Sequence, residues 1–274
     1  MTVALEVAGL RILGPAGEVL VRDVSVMARP GLPLTLLGET GSGKSLVLQA
    51  IMGTLPGGLR ASGRILLDGT ELLTASAAAR RALWGRRIAI LPQEPGLALD
   101  PTMRSLAQVA EVYRLVRGLP GPEALAEAQA RLAELGLGQA SGLYPFQLSG
   151  GMAQRLALAI LRASAAPVVL ADEPTKGLDA ARRDEIARHL REAAEQGATM
   201  LVVTHDVAVA RRLGGTLAVM REGVVVEQGP AATVLARPFH DYPRQLLAAE
   251  PAAWTMPRPT AVAGAVPQGD AVLE

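Results

Sequence analysis

The chain has 274 residues, a formal net charge of +1 and no cysteine. Without cysteine, disulfides, zinc–thiolate sites and iron–sulfur clusters are excluded, and the near-neutral charge argues against a broad nucleic-acid footprint. No apolar run reaches the roughly 18 residues that a membrane span requires. The first residues include Glu6 and lack a basic leader, so a signal peptide is not expected. The length allows one large domain or two small ones.

Short strands are predicted in the first part of the chain, where apolar and β-branched runs are separated by Gly-Pro and Pro-Gly breaks. These runs occupy residues 3–7, 19–21, 24–26 and 63–67. We expect them to form a mostly antiparallel layer beside the next segment of the chain. A further apolar run leads directly into that segment.

That segment, hereafter the phosphate loop, has the sequence Gly38-Glu39-Thr40-Gly41-Ser42-Gly43-Lys44-Ser45. It fits the pattern Gly, four residues, Gly-Lys-Ser, and it lies between a strand candidate and a helix-compatible run, as the pattern requires. Its glycines let backbone N–H groups turn inward around a phosphate chain, and the helix N-terminus adds its positive end. Lys44 is therefore predicted to contact the β- and γ-phosphates, and Ser45 to bind magnesium. A flexible Gly/Ser turn is the competing interpretation.

Helical patterns dominate from about residue 95 to about residue 165, after a buried-strand candidate at residues 87–91 that runs into Gln93. Residues 123–135 carry apolar side chains on one face, and a glycine follows where a C-terminal cap belongs. Residues 152–162 form a second, very apolar helix. The middle of the chain is thus expected to be α-helical.

A Ser-Gly-Gly turn precedes the second of these helices, and it predicts another anion-binding helix N-terminus. It consists of Ser149, Gly150 and Gly151. Two phosphate-seeking ends in one chain suggest that two chains share nucleotides across an interface. An ordinary serine cap with flexible glycines is the alternative.

Strands and helices alternate in the last third of the chain, which indicates an α/β fold with a parallel sheet. The apolar run at residues 168–171 ends in Asp172 and Glu173. Asp172 is predicted at the sheet edge, where it can hold magnesium, and Glu173 is predicted to orient an attacking water as general base. An exposed acidic turn is the alternative. His205 also follows an apolar strand, where a histidine with an ordinary backbone contact is equally compatible.

The remaining predictions concern structure rather than chemistry. Asp179 is expected to cap a helix that ends near residue 196 and contains His189, which we expect to be solvated. Residues 217–219 and 224–226 are predicted to pair as a hairpin, and the stretch from about residue 251 is predicted to be a loose tail.

Taken together, these motifs resemble the ATP-binding subunits of ABC transporters over about residues 3–248, and their order agrees with the family's. The phosphate loop is similar to the Walker A motif, and the segment that ends in Asp172 and Glu173 to the Walker B motif. Gln93 matches the glutamine loop, residues 148–152 the signature, and His205 the switch histidine. The resemblance implies a P-loop NTPase (RecA-like) α/β core with an antiparallel β subdomain. It also implies an inserted α-helical subdomain at about residues 95–165 and a flexible tail at residues 249–274.

The resemblance also implies a role for each site residue. The phosphates of ATP would be bound by the loop amides and Lys44, and Mg²⁺ would be held by Ser45, Gln93 and Asp172. The catalytic residues would be Glu173, which activates water, and His205, which contacts the γ-phosphate. The turn at residues 149–151 would close over the nucleotide of the opposite subunit, so that ATP joins two such subunits and hydrolysis lets them part.

Three shorter stretches resemble the dipeptide, oligopeptide and nickel importers, most of all the nickel-type ATPase subunit. They are residues 53–56, 144–147 and 241–247. The first implied partner is a second ATPase subunit, which is either an identical chain or, more often, a different one. The other implied partners are integral membrane permease subunits and, indirectly, a solute-binding protein. The implied location is peripheral, at the cytoplasmic face of the inner or plasma membrane, and nucleic acid is not an expected partner.

Two positions depart from the family pattern. No aromatic residue precedes residue 37 to stack on adenine, so Ile12 or Leu13 is expected to give a weaker apolar contact. Lys176 stands where the family more often has a small or hydroxyl residue. Two other functions are compatible with the fold: a non-transport ATPase that acts on DNA or ribosomes, and a regulatory partner in an asymmetric ATPase pair. The short interval between Gln93 and the signature argues against the DNA-repair relatives, which have a long coiled coil there.

Overall fold

The computed structural model describes residues 4–249. Within them, ten strands form one sheet: β1 (Leu5–Leu13), β2 (Val19–Ala28), β3 (Leu34–Leu37), β4 (Arg60–Leu67), β5 (Thr70–Glu71), β6 (Ile88–Leu91), β7 (Val168–Asp172), β8 (Thr199–Thr204), β9 (Thr216–Arg221) and β10 (Val224–Pro230). The α-helices are α1 (Lys44–Met52), α2 (Ala77–Leu83), α3 (Pro95–Ala98), α4 (Ser105–Leu115), α5 (Gly121–Glu134), α6 (Gly150–Ser164), α7 (Ala180–Glu195), α8 (Val207–Leu213), α9 (Ala231–Ala236) and α10 (Asp241–Ala248).

The strand order across the sheet is β5-β4-β1-β2-β10-β9-β3-β8-β7-β6. From β9 to β6 all neighbouring strands are parallel, whereas β1 pairs with β2 and β4 in antiparallel register. The two regions meet where β10, which forms the predicted hairpin with β9, touches β2 at Val224 and Asp23. The predicted α/β class, with a parallel core and an antiparallel layer, is therefore confirmed.

The inner parallel strands β3, β8 and β7 are buried on both faces, which explains why their sequences are mostly apolar. Every residue of β3 and β8 is buried. In β7 the side chains alternate: Val168 and Leu170 pack into the core with α1 and the antiparallel strands, and Val169 and Ala171 into the core with α4, α5 and α6. Helices on both sides thus fix these strands, and their carboxyl ends are held at one edge of the sheet.

The elements between residues 95 and 164 are helical, as predicted, with two short 3₁₀ turns among them. The helix predicted from residue 152 begins at Gly150, because the hydroxyl of Ser149 accepts a hydrogen bond from the backbone N–H of Met152 at 3.3 Å and caps it. None of the helices in the described part of the chain is long and apolar enough to cross a bilayer. The predicted tail lies, apart from its first residue, outside the described residues.

The predicted capping residue of α7 is confirmed, but the expected solvation of His189 in that helix is wrong. Asp179 accepts a hydrogen bond from the N–H of Arg182 at 2.9 Å. His189 is only 6% exposed, and its ring lies against Arg162 of α6, with Nδ1 at 3.2 Å from the guanidinium. The polar composition of α7 misled the prediction because Arg162, which lies against the ring, comes from another helix.

Candidate nucleotide-binding site

The phosphate loop connects the carboxyl end of β3 to the first turn of α1. Gly38 marks the closest approach of this loop to β9, where an added Cβ would lie 2.1 Å from the carbonyl oxygen of Met220. Gly43, at the N-terminus of α1, has φ +99°, in the left-handed region that favours glycine. At these two positions the loop conformation requires the glycines that the pattern contains.

Lys44 lies beneath the loop and is almost fully buried, at 4% exposure. Its Nζ donates to the carbonyl oxygens of Gly38 and Glu39, both at 2.7 Å. Burial lowers the pKa of Lys44, and the carboxylates of Glu173 and Asp172 oppose this change. The hydrogen bonds of this buried ammonium go to neutral carbonyl groups, which do not neutralise its positive charge. The ammonium would therefore stabilise an anion bound at the loop.

Four parallel strands end around the loop and bring distant parts of the sequence together. β3 leads to the loop, β8 leads to His205, β7 ends at Asp172 and β6 leads toward Gln93. A cleft of about 210 Å³ is lined by residues of the loop and the start of α1, and by Gln93, Glu173, Lys176 and His205. The phosphate loop, Gln93, Glu173 and His205, all predicted as site residues, therefore share one cavity.

Ser45 and Asp172 meet beside this cleft. The Ser45 hydroxyl donates to Oδ1 of Asp172 at 3.0 Å, across 127 positions of sequence. Burial raises the pKa of the Asp172 carboxyl, the hydrogen bond from Ser45 opposes this, and the charge of Glu173 adds to it. A hydroxyl, a carboxylate and the nearby amide of Gln93 form a set of hard oxygen donors, which fits magnesium.

Glu173 is buried, at 8% exposure, and its backbone has φ +44°, which is unusual for a residue other than glycine. Its Oε2 accepts hydrogen bonds from Nδ1 of His205 at 2.8 Å and from the His205 backbone N–H at 3.3 Å. Because a carboxylate only accepts, Nδ1 carries the proton in this contact. The two predicted catalytic residues are thus in direct contact.

The turn formed by Ser149, Gly150 and Gly151 lies elsewhere in the same chain. It starts α6 and is not part of the cleft lining; Ser149 and Gly150 are exposed, whereas Gly151 is buried against Arg182. Within one chain the structure therefore does not bring this turn to the phosphate loop.

Two supporting residues were not predicted from the sequence. Gln154 of α6 is buried and donates to the carbonyl oxygen of Pro174 at 2.5 Å, next to Glu173. Tyr242 of α10 accepts a hydrogen bond from the backbone N–H of Glu39 in the phosphate loop at 3.1 Å. Gln154 follows the signature by two positions, a usable signal, but nothing near Tyr242 indicates a contact 203 positions away.

The expected apolar contacts to the base are only partly compatible with the structure. Ile12 is fully buried at 0% exposure, so it offers no surface to a ligand, and that half of the prediction is wrong. Ile12 faces the core because side chains alternate along β1, and Leu13 is partly exposed. Lys176 lines the cleft, so the departure from the family pattern adds a second lysine to its wall.

Comparisons with known proteins agree with this geometry. The family model described as "ABC transporter" matches residues 21–176. The nickel import ATP-binding protein NikD of Rhodospirillum rubrum is 38% identical over 89% of this chain and 94% of the relative. The peptidoglycan transport ATP-binding protein YejF of Agrobacterium fabrum is 36% identical over 87% of this chain, and the chain spans about half of its length, 45%.

Solved structures confirm the P-loop NTPase fold. The ATP-binding cassette MJ0796, in a dimeric post-hydrolysis state bound to ADP and Pi, superposes with a TM-score of 0.73 at 26% identity. The superposition covers 83% of this chain and 98% of that one. The resemblance inferred from the motifs is therefore confirmed by sequence and by structure.

Proposed function

The chain belongs to the ABC transporter ATP-binding family, and from this premise we propose that it hydrolyses ATP to power the import of a solute. The observation that carries the proposal is the meeting of Lys44, Ser45, Asp172, Glu173 and His205 around one cleft. We further propose that the ATP-binding domain spans residues 3–248 and that its helical subdomain is at about residues 95–165.

The phosphates would bind at the loop, where Lys44 keeps its hydrogen bond to Gly38 and exchanges the one to Glu39 for a charged phosphate oxygen. Charge-assisted hydrogen bonds of this kind are roughly twice as strong as neutral ones. The loop amides of residues 39–45 and the N-terminus of α1 add dipoles of the correct sign. Leu13 supports the base only weakly, so most of the binding energy would come from the triphosphate.

Magnesium would be held by Ser45, Asp172 and Gln93. The contact between Ser45 and Asp172 places two of these oxygen donors together. The ion would supply neutralisation of the charge on the phosphate oxygens.

Glu173 would act as general base and His205 as its partner at the γ-phosphate. Water attacks the γ-phosphorus, its proton passes to the Glu173 carboxylate, and ADP leaves with the electrons of the broken bond. The hydrogen bond from His205 keeps this carboxylate fixed at the cleft.

The site would be completed by a second chain. Ser149 and Gly150 are exposed at the start of α6, where backbone N–H groups can face the phosphates of another subunit. The related cassette MJ0796 is described as dimeric. We propose a paired ATPase subunit, which is either identical or, as the importer-like stretches favour, a different chain.

The permease subunits would dock on the helical region, at the cytoplasmic face of the membrane. Leu97 and Phe146 are 82% and 76% exposed there, and the ring of Phe146 stacks on Tyr144 at a centroid distance of 5.6 Å. These exposed apolar side chains are available for contact with a partner subunit. A solute-binding protein would act through the permease.

The solute class follows from the relatives. NikD is named for nickel import and YejF for peptidoglycan transport. We therefore propose a peptide, nickel or a metal chelate as the transported solute.

The variant Glu173→Gln tests the proposed hydrolysis, in the complex of this chain with its permease subunits. Glutamine keeps the size and an acceptor oxygen for His205 but is not a base, so hydrolysis is expected to fall by about 10²-fold or more, while ATP binding is retained. The matched control is Glu195→Gln, which removes a half-exposed carboxylate paired with Arg191 on α7. Undiminished hydrolysis by Glu173→Gln, or no hydrolysis by the unaltered complex, would contradict the proposal.

A further inference from the structure

The helix α10 is joined to the phosphate loop through a single side chain. Tyr242 is 4% exposed, and its hydroxyl oxygen accepts the hydrogen bond from the backbone N–H of Glu39 at 3.1 Å. The two residues are 203 positions apart. This contact connects the end of the described chain to the first turn of the loop that is proposed to bind phosphate.

The contact acts on the same peptide group that Lys44 binds. The carbonyl of Gly38 and the N–H of Glu39 belong to one peptide unit; the carbonyl accepts from Nζ of Lys44 at 2.7 Å, and the N–H donates to Tyr242. Because both polar ends are satisfied, this peptide plane is fixed in orientation. Its orientation in turn sets where the ammonium of Lys44 is held.

Tyr242 itself is held by elements outside the loop. Its ring packs in a buried cluster with Leu37 and Val219, and the guanidinium of Arg221 lies over it at 4.9 Å from the centroid. The start of α10 is fixed by His240, whose Nδ1 accepts from the N–H of Tyr242 at 3.1 Å. The hydroxyl is therefore presented to the loop in one position.

The preceding turn is anchored as well. The carboxylate of Glu227 on β10 accepts hydrogen bonds from the backbone N–H groups of Phe239 and His240, both at 2.9 Å. The chain that leads into α10 is thus attached to the sheet. This attachment makes the position of Tyr242 independent of the loop that it contacts.

We propose that Tyr242 is a positioning residue that presets the 38–39 peptide, and with it Lys44, for the triphosphate. The inference rests on the proposed ATP binding of this site. A loop that already has its bound orientation loses less conformational freedom when the ligand arrives, so Tyr242 raises the affinity for ATP without touching it. The general base is held by separate contacts, and the step that it catalyses is unaffected.

The variant Tyr242→Phe tests this inference, because it keeps the ring in its cluster and removes only the acceptor. Titration calorimetry on the full chain with ATP and Mg²⁺ is expected to show a Kd roughly threefold to tenfold higher, the loss of about one neutral hydrogen bond. In the permease complex the same factor is expected in KM for ATP, with kcat unchanged. Hydrogen exchange of the Glu39 amide without nucleotide is expected to become faster.

The matched control is Tyr113→Phe, which also removes the hydroxyl of a buried tyrosine, here on α4 in the helical core. It is expected to alter stability but to leave the Kd for ATP and the Glu39 exchange rate unchanged. Equal Kd values for Tyr242→Phe and the unaltered chain would overturn the inference, as would an equal loss in both tyrosine variants. If the unaltered chain binds no ATP, the proposed function fails, and the inference fails with it.

Discussion

Gly38 lies where the phosphate loop passes closest to β9, and the site depends on the absence of a side chain there. Its neighbour across the gap is the carbonyl oxygen of Met220, a backbone atom that cannot move aside as a flexible side chain can. Glu173 shows the opposite case, a full side chain held at φ +44°. Unusual backbone conformations of this kind cluster at functional sites and are maintained by the surrounding contacts, which here include His205.

The substitution Gly38→Ala is expected to destabilise the chain and to disrupt the loop. An added Cβ at 2.1 Å from the Met220 oxygen forces β3 and β9 apart, and overpacking of this type costs about 1–3 kcal/mol. Urea denaturation measures the change, and ATP titration is expected to show loss of binding. The control Gly96→Ala places a Cβ in open space and is expected to change neither. A stable Gly38→Ala variant with normal ATP binding would contradict the described loop geometry.

At the contact between α6 and α7, the buried side chain of His189 is surrounded by partly exposed charged groups. Arg162 and Glu192 lie near Nδ1 of His189 on α7, and Arg188 and Glu185 lie near its Nε2. Burial lowers the pKa of His189, the two guanidinium groups lower it further, and Glu192 opposes them. The histidine is therefore neutral in the folded chain at a pH at which the unfolded chain begins to protonate it.

This arrangement predicts a loss of stability on acidification. With a folded-state pKa below the ordinary value of 6.5, the unfolded state binds the proton more readily, so the free energy of unfolding falls as the pH drops through about 6.5. The variant His189→Gln removes this term. Thermal unfolding between pH 7.5 and pH 5.5 is expected to show a smaller decrease in Tm for His189→Gln than for the unaltered chain. Equal slopes for the two chains would show that His189 does not titrate on unfolding.

The elements themselves were largely predictable from local patterns. The buried parallel strands were visible as apolar runs, and α7 was placed by the Asp179 cap and the glycine after its end. The burial of His189 was not predictable, because the polar sequence of α7 gives no sign of Arg162 on another helix. The full lengths of β1 and β2 were also missed, since glycine and polar residues interrupt their apolar pattern while the backbone continues.

At the scale of the whole molecule, the sheet order brings together residues that are far apart in the chain. β3, β8, β7 and β6 are adjacent although long segments separate them, and this adjacency gives the contact between Ser45 and Asp172. The motifs predicted the residues that line the cleft apart from Leu46 and Lys176, because each motif follows a strand end and parallel strands share one edge. They did not predict Tyr242, since its contact depends on how α10 packs on the sheet.

A second feature of the whole molecule is that one chain carries only part of the proposed site. Ser149 and Gly150 remain exposed and away from the cleft, which supports the proposal that a second subunit supplies the facing turn. The phosphate-binding half, by contrast, is present in one chain and can be measured alone.

The most direct measurement is a calorimetric titration of the full chain with ATP in the presence of Mg²⁺, for the unaltered chain and for Lys44→Ala. The account predicts binding of one ATP per chain and a loss of roughly 100-fold or more in affinity for Lys44→Ala, since a buried ammonium bonds charged oxygens there. Arg191→Ala, which removes an exposed cation on α7, is the control and is expected to bind normally. Equal affinity of the unaltered and Lys44→Ala chains, or no binding by either, would contradict the account.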